Sequence, residues 1–289
     1  MHIKRIDEMH IYNSNGMLVA QSREHLMGII EERIKSSGAE CDLNDIDISL
    51  VNDMHRLFCE SDFNGDISKW DVSKVRNMTC MFKKSKFNGD ISGWDVSKVN
   101  NMNEMFAGAE FNGDISKWNV GGVGKMDSMF SHSKFNGDIS QWNVGNVRDM
   151  SNMFAYSQFN NDISKWNVGN VRFMDWMFHH SRFNGDISKW DVSCVVEMTG
   201  MFRNADFDGD ISKWNVGNVK NMSYMFESSK FNGDISEWDV RSVRNMSYMF
   251  HGSKFDGNIS NWDVSGVQHM QNMFSGSPLE KNPPSAHEE

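Results

Sequence analysis

One motif, F-N-G-D-I-S-x-W-(D/N)-V-(S/G)-x-V-x-x-M-x-x-M-F-x-x-(S/A)-x, recurs nine times at an unbroken period of 24 residues. Its leading phenylalanines are Phe63, Phe87, Phe111, Phe135, Phe159, Phe183, Phe207, Phe231 and Phe255, and a tryptophan follows each one, from Trp70 to Trp262. A unit this short cannot bury a core alone. Neighbouring units must therefore stack into a solenoid that sets like residues in columns. Met (23), Phe (20) and Trp (10) are over-used for the same reason, since the motif places them at fixed points, while Pro occurs only three times.

A degraded unit precedes the nine. Leu43, Ile46, Ile48, Val51, Met54, Leu57 and Phe58 hold the places of Ile67, Trp70, Val72, Val75, Met78, Met81 and Phe82, without the Phe-Asn-Gly portion. Terminal units of solenoids must differ because one side meets a cap or solvent.

Within a unit, Trp70 and Val72 alternate with Lys69, Asp71 and Ser73, the period of a short strand. Val75, Met78, Met81 and Phe82 then step by three and four, as on one face of a short helix or 3₁₀ turn. The pattern predicts an α/β solenoid with both elements in every coil. Asn64-Gly65 marks the turn, and its glycine is expected to need a positive φ; Asn161 stands there in one unit. The Asp column, Asp66 to Asp234 and then Asn258, and the Ser column, Ser68 to Ser260, are expected to satisfy turn amides.

Three regions follow. Residues 1–40 form an N-terminal cap, with a hairpin around Asn13-Ser14-Asn15-Gly16 and a helix over 23–35. That helix sets Leu26, Ile29, Ile30 and Ile34 on one face, with Ser22 as N-cap and Gly38 beyond its end. Residues 41–274 are the solenoid of one degenerate and nine full repeats. Residues 275–289 read as a flexible C-terminal tail with a packing role for Leu279.

The net charge of -10 disfavours nucleic acid as a partner. Cys41, Cys59, Cys80 and Cys194 have neither disulfide-framework nor metal-knuckle spacing. The first residues, MHIKRIDEMHIYNSNGMLVA, contain no apolar h-region, and no lipobox-type cysteine follows one. Neither secretion signal nor lipid anchor is expected, and no apolar run is long enough for membrane insertion.

The segments FNGDISKWDVSKVRNM and FNGDISEWDVRSVRNMSYMF, with the entry CDLNDIDISLVNDMHRLF, closely resemble the bacterial BspA-like leucine-rich-repeat surface proteins, or mycoplasma-lipoprotein-type repeats. The resemblance covers residues 41–274. It implies a leucine-rich-repeat-like solenoid, with one short parallel strand plus a short helical or 3₁₀ turn per 24-residue coil. It also implies a surface or secreted protein, an antigen or adhesin, and no catalytic class. The absent leader instead fits a cytoplasmic protein, or one exported without a cleaved leader.

No Walker loop, serine elbow, HExxH or ligand-spaced cysteine pair occurs, and an even repeat is poor at building the asymmetric constellation that catalysis needs. No enzyme activity, cofactor or metal is expected; zinc at His132, His179 and His180 is the weaker reading. The informative positions are those that vary. Tyr156, Phe173, Trp176, Tyr224 and Tyr248 stand in columns otherwise filled mainly by small or polar residues, and His179 and His180 lie beside them. They are the candidate anchor for a protein partner, centred on coils four to six. Packing along the ridge is the rival reading. The alternative surface is the strand face, where Lys69, Lys117, Lys165, Lys189 and Lys213 run beside Asp71 and Asp191 and suit a polar partner or glycan. The thinly capped C-terminal coil, at Met270, Met273 and Phe274, is the candidate for self-association. The expected function is a non-catalytic interaction scaffold, an adhesin or effector-like recognition module, with self-assembly or glycan binding as alternatives.

Overall fold

A computed structural model describes residues 11–281. The cap comes first. The chain turns back at Asn13–Gly16, where Gly16 adopts φ 76, and Tyr12 bridges Leu18 in antiparallel fashion. Strand β1 (Leu18–Val19) leads into helix α1 (Arg23–Ser37), and β2 (Ile46–Asp47) of the degenerate coil pairs parallel with β1. The Ser22 side chain accepts from the His25 amide, Gly38 ends the helix at φ 86, and Leu26, Ile29 and Ile30 are buried. Arg33 ties the helix to Asp45 of the coil at 2.5 Å. The helix is thus as expected, two residues longer at its end. The part of the expected hairpin in residues 1–10 lies outside the described residues.

The solenoid is real, but its coils are not strand plus helix. Among the described residues, β1 and β2 are the strands, and α1 and a 3₁₀ helix at Pro278–Glu280 the helices. Each coil is instead a succession of β-turns. In the Phe63 coil, turn bonds run from the amides of Trp70, Val75, Met81, Lys83 and Ser85 to the carbonyls of Ile67, Val72, Met78, Cys80 and Phe82. The period-two pattern at Trp70 and Val72 comes from two adjacent turns, each opened by an Asx bond: Asp66 accepts from the Ser68 amide, and Asp71 from Ser73. The three-and-four spacing after Val75 fails to propagate a helix because Cys80 and Lys84 are left-handed, at φ 54 each. A residue in that region breaks the i to i−4 ladder.

The amides between those turns point along the solenoid. Met78, Cys80, Phe82 and Lys84 donate to the carbonyls of Asn101, Asn103, Met105 and Ala107 in the next coil, at 2.7–2.9 Å. Single-residue parallel bridges mark the same seam, from Asp53↔Asn77 to Asn245↔His269. Alternate amides close turns or join coils, so the buried backbone is satisfied without a strand.

Columns fill the interior. Phe82 stacks on Phe106 at 5.6 Å and on Phe87 at 4.4 Å, and Trp94 lies parallel to Trp118 at 6.5 Å. Each ladder indole also donates to a carbonyl of the preceding coil: Trp94 Nε1 to Ile67 O at 3.2 Å, Trp142 Nε1 to Ile115 O at 3.0 Å. The same carbonyls also close turns, Ile67 O accepting from the Trp70 amide and Ile115 O from the Trp118 amide, so both lone pairs are used and none is left for a strand ladder.

The glycine of Asn-Gly does not need a positive φ. Gly65 and Gly89 lie outside the left-handed region, and close approach explains them. A Cβ on Gly89 would lie 2.9 Å from the Phe87 ring, and one on Gly65 only 1.9 Å from the Cys41 carbonyl oxygen. Asn161 is accommodated while its side-chain amide donates to Asn136 O and Gly137 O. The far end is more open: Val264, Val267 and Met270 are only partly buried, whereas Val240, Val243 and Met246 are fully buried. Of the tail expected to be flexible, residues 275–281 hold the short 3₁₀ helix, with Leu279 against the core; the remainder lies outside the described residues.

Candidate functional site

The seam segments line up as a ridge along the solenoid. Methionine and phenylalanine point inward from it, so the residues between them are left to face out. On this ridge the structure joins six of the seven residues singled out from the sequence. Tyr156 is sandwiched between His132 at 4.4 Å and His180 at 4.6 Å, in the coils before and after, and meets His179 edge-on. His179 Nδ1 lies 3.1 Å from Arg203 O, and its Nε2 lies 3.0 Å from the Tyr156 hydroxyl. A carbonyl only accepts, so Nδ1 carries the proton and Nε2 accepts from the tyrosine. Burial, and after it the neighbouring His180, draws the His179 pKa down to about 4. This imidazole is neutral at physiological pH.

Trp176 continues the row. It meets His179 edge-on at 5.1 Å and reaches Tyr224 at 6.1 Å, passing over Gly200 in the intervening coil. A Cβ on Gly200 would sit 2.2 Å from the indole, so the close approach of Trp176 requires glycine there, and glycine also adopts its φ of 57 without strain. The Arg203 guanidinium lies over both rings, 5.7 Å from Trp176 and 5.6 Å from Tyr224. Arg203 pairs with Glu227 at 2.5 Å, His251 stands 3.7 Å from Glu227, and Tyr224 stacks on Tyr248 at 5.0 Å. One chain of contacts therefore runs from His132 to His251.

Phe173 is the seventh, and it stands apart. It bridges Asp149 and Glu197 in the seam and stacks on no other ring among the described residues. Phe173 and Tyr156 are exposed, at 37% and 46%, and so is His180. Half-buried carboxylates line the seam on both sides of Phe173, with Asp149 and Glu197 in the flanking coils, Asp175 two residues on and Asp127 two coils back. Burial, with Asp149 and Glu104 nearby, raises Asp127 to about 6. Burial also raises Asp175 and Glu197, and the Asp175 charge adds to the effect on Glu197.

The ridge departs from the sequence reading in three ways. Trp176 is held under Arg203 rather than free, and the faces of Tyr156 and Tyr224 are covered, which leaves edges and hydroxyls outward. The structure adds Arg203, Glu227, His251 and the carboxylate row, which the sequence reading passed over. Their signal was the 24-residue offset, which aligns Arg203 with Glu227, and the 21-residue offset, which sets Arg203 against Tyr224. The alternative surface is not a strand face. Lys69, Lys117, Lys165, Lys189 and Lys213 are exposed on turns, while Asp71 and Asp191 are engaged by the Ser73 and Ser193 amides. Among the described residues, no group of three or more His, Cys, Asp or Glu is placed to hold a metal, and no helix is long and apolar enough to cross a membrane.

Fold and ridge together define a turn-built repeat solenoid with one variable, aromatic edge. The family model described as Mycoplasma protein of unknown function, DUF285, matches residues 33–134, 109–206 and 179–286, and the chain belongs to that family. No curated protein and no solved structure matches it.

Proposed function

We propose that the protein is a non-catalytic recognition scaffold that engages a protein partner through the ridge around Phe173 and Tyr156. The observation that carries this reading is the contrast between columns. The interior repeats the same residues coil after coil, whereas the ridge gathers unlike aromatic and charged groups in one contact chain. Interfaces draw their energy from such rigid aromatic anchors. The covered faces of Tyr156 and Tyr224 argue against sugar stacking and favour a protein over a glycan. The BspA-like resemblance, with its surface location and adhesin role, is supported by the repeat sequence alone.

The test is a quantitative pull-down comparing the wild type with a Tyr156→Ala/Phe173→Ala variant of matched thermal stability. Both residues are exposed, so the variant should fold. A saturable partner held by the wild type and lost by the variant is the expected result; equal retention refutes the ridge as the contact surface. A second reading, self-association through the C-terminal coil, is favoured by the half-exposed Val264, Val267 and Met270. A mass that is independent of concentration counts against it.

A further inference from the structure

We infer that the ridge recognises a cationic peptide segment, with a lysine or arginine side chain laid on Phe173 among Asp127, Asp149, Asp175 and Glu197. The inference rests on the recognition reading and deepens it by naming the chemistry of the partner.

Charge complementarity carries the argument. The carboxylates zigzag across the seam in successive coils, Asp127 and Asp175 in one column, Asp149 and Glu197 in another. The nearby cations do little to neutralise them. Lys125 is a minor influence on Asp127, and Glu197 feels the like charge of Asp175, with an Asn221 side-chain hydrogen bond as its partial offset. Lys83 is engaged with Glu104, and Arg203 with Glu227. Arg148 and Arg172 are exposed and form no ion pair among the described residues. A half-buried anionic row of this kind is unfavourable for the free protein, and a bound cation removes the penalty.

Phe173 supplies what a carboxylate row alone lacks. It is an exposed ring with no ring stacked on it among the described residues, in contrast to Tyr156 and Tyr224. An aromatic beside carboxylates matches both halves of a lysine or arginine side chain. The apolar stem lies on the ring, and the charged head reaches the oxygens, with a cation–π contribution. An anionic or purely apolar partner would leave these half-buried carboxylates without a counter-charge, although Asp149 and Asp175 each accept a backbone amide.

The experiment uses the full chain and fluorescence anisotropy of a rhodamine-labelled peptide of alternating lysine, alanine and glycine, with a glutamine-for-lysine peptide as its neutral counterpart. The key variant is Asp127→Asn/Asp175→Asn/Glu197→Gln. The Asp175→Asn change keeps a side-chain oxygen to accept from the Thr199 amide, as Asp175 now does. The charge-matched control is Asp66→Asn/Asp90→Asn/Asp114→Asn on the turn face, where Asn258 already serves the same Asx bond to Ser260. Saturable binding of the lysine peptide and not the glutamine peptide is expected. Loss of about tenfold or more in the ridge variant, against less than about twofold in the control, corresponds to removing desolvated charge partners. Equal losses in the two variants would show a diffuse effect of net charge and overturn the inference, as would no saturable binding by the wild type. A second measurement needs no variant: binding should weaken between about pH 7.5 and about pH 5.5 as Asp127 takes up a proton, and unchanged affinity overturns the inference. None of these failures touches the partner-capture result above, which is read without regard to the partner's charge.

Discussion

The tryptophan ladder makes a sharp prediction, because one atom of each indole has a defined task. Trp142 is 3% exposed, and its Nε1 donates to Ile115 O at 3.0 Å. Replacing Trp142 with benzothienylalanine puts sulfur where the N–H was and keeps the ring shape. The packing term then stays nearly constant, and the Ile115 carbonyl loses the indole donor while keeping its turn bond from the Trp118 amide. The loss of that one buried bond costs about 0.5–1.5 kcal/mol. For a cooperative body of this size, about 2–4 °C of melting temperature accompanies each kcal/mol, so a fall of about 1–6 °C is expected. Trp176 supplies the internal control. Its indole N–H forms no hydrogen bond among the described residues, so the same replacement there should cost less than about 0.5 kcal/mol. Site-specific incorporation followed by urea and thermal unfolding measures both. Equal effects at the two sites, or a change below about 0.3 kcal/mol at Trp142, would refute the assignment of the indole as the carbonyl's partner.

Ser128 sits at φ 58, so Ser128→Gly should stabilise by about 0.5–1 kcal/mol after allowing for the looser unfolded chain. Gly89→Ala should instead cost about 1–3 kcal/mol by overpacking against the Phe87 ring, and urea midpoints will show the opposite signs. Two titrations pull stability in opposite directions. His179, with its pKa lowered to about 4, gives stability that is present above its unfolded value and lost as pH falls from about 6.5 towards 4. Asp127, raised to about 6, gives stability that is full below its unfolded value and lost as pH rises towards 6. Melting curves across this range should therefore flatten on the acid side in His179→Gln, while Asp127→Asn should gain more stability at neutral than at acid pH. Met174→Ala, at a fully buried site, should cost about 2–5 kcal/mol, and Met270→Ala in the open last coil clearly less; equal costs would mean that the last coil is covered in solution.

The solenoid was legible because columns are a property of the sequence. Once Phe63 and Phe87 are seen to be equivalent, the stacked core needs no further information, and the helix before it announces itself through Ser22 and Gly38. The secondary structure of the coil was not legible in the same way. Trp70 and Val72 alternate as strand residues do, yet Asp66 and Asp71 close turns by taking the Ser68 and Ser73 amides. Side-chain acceptors competing for backbone donors leave a pattern that periodicity alone does not separate from a strand. The left-handed pairs were also hidden, since Cys80, Lys84, Tyr156 and Trp176 are residue types that do not signal a positive φ. The ridge was half visible. Aromatic outliers stood out against polar columns, but Arg203 and Glu227 look ordinary until offsets of 21 and 24 residues are read as neighbours.

The ridge columns also show why variation concentrates where it does. A substitution inside must fit between identical rings in the coils on either side, so each interior residue is constrained by two copies of itself. A ridge residue is bounded on one side by solvent, and the backbone bonds of the seam do not involve its side chain. Sequence there is free to change without loss of the fold. Yet Tyr156, Trp176, Tyr224 and Tyr248 stand at φ 55–60, where a residue other than glycine costs about 1–2 kcal/mol. Glycine fills the same columns at Gly108, Gly200 and Gly252, so the strain is not forced by the architecture. Stacking and cation–π contacts offset part of it for Tyr224, at about 0.5–1.5 kcal/mol for an aromatic pair. Among the described residues Phe173 has no such ring contact, and it is exposed at a seam position flanked by Asp149 and Glu197. It is the ridge residue whose presence the folded chain explains least, and the place where a bound cation would supply the missing contact.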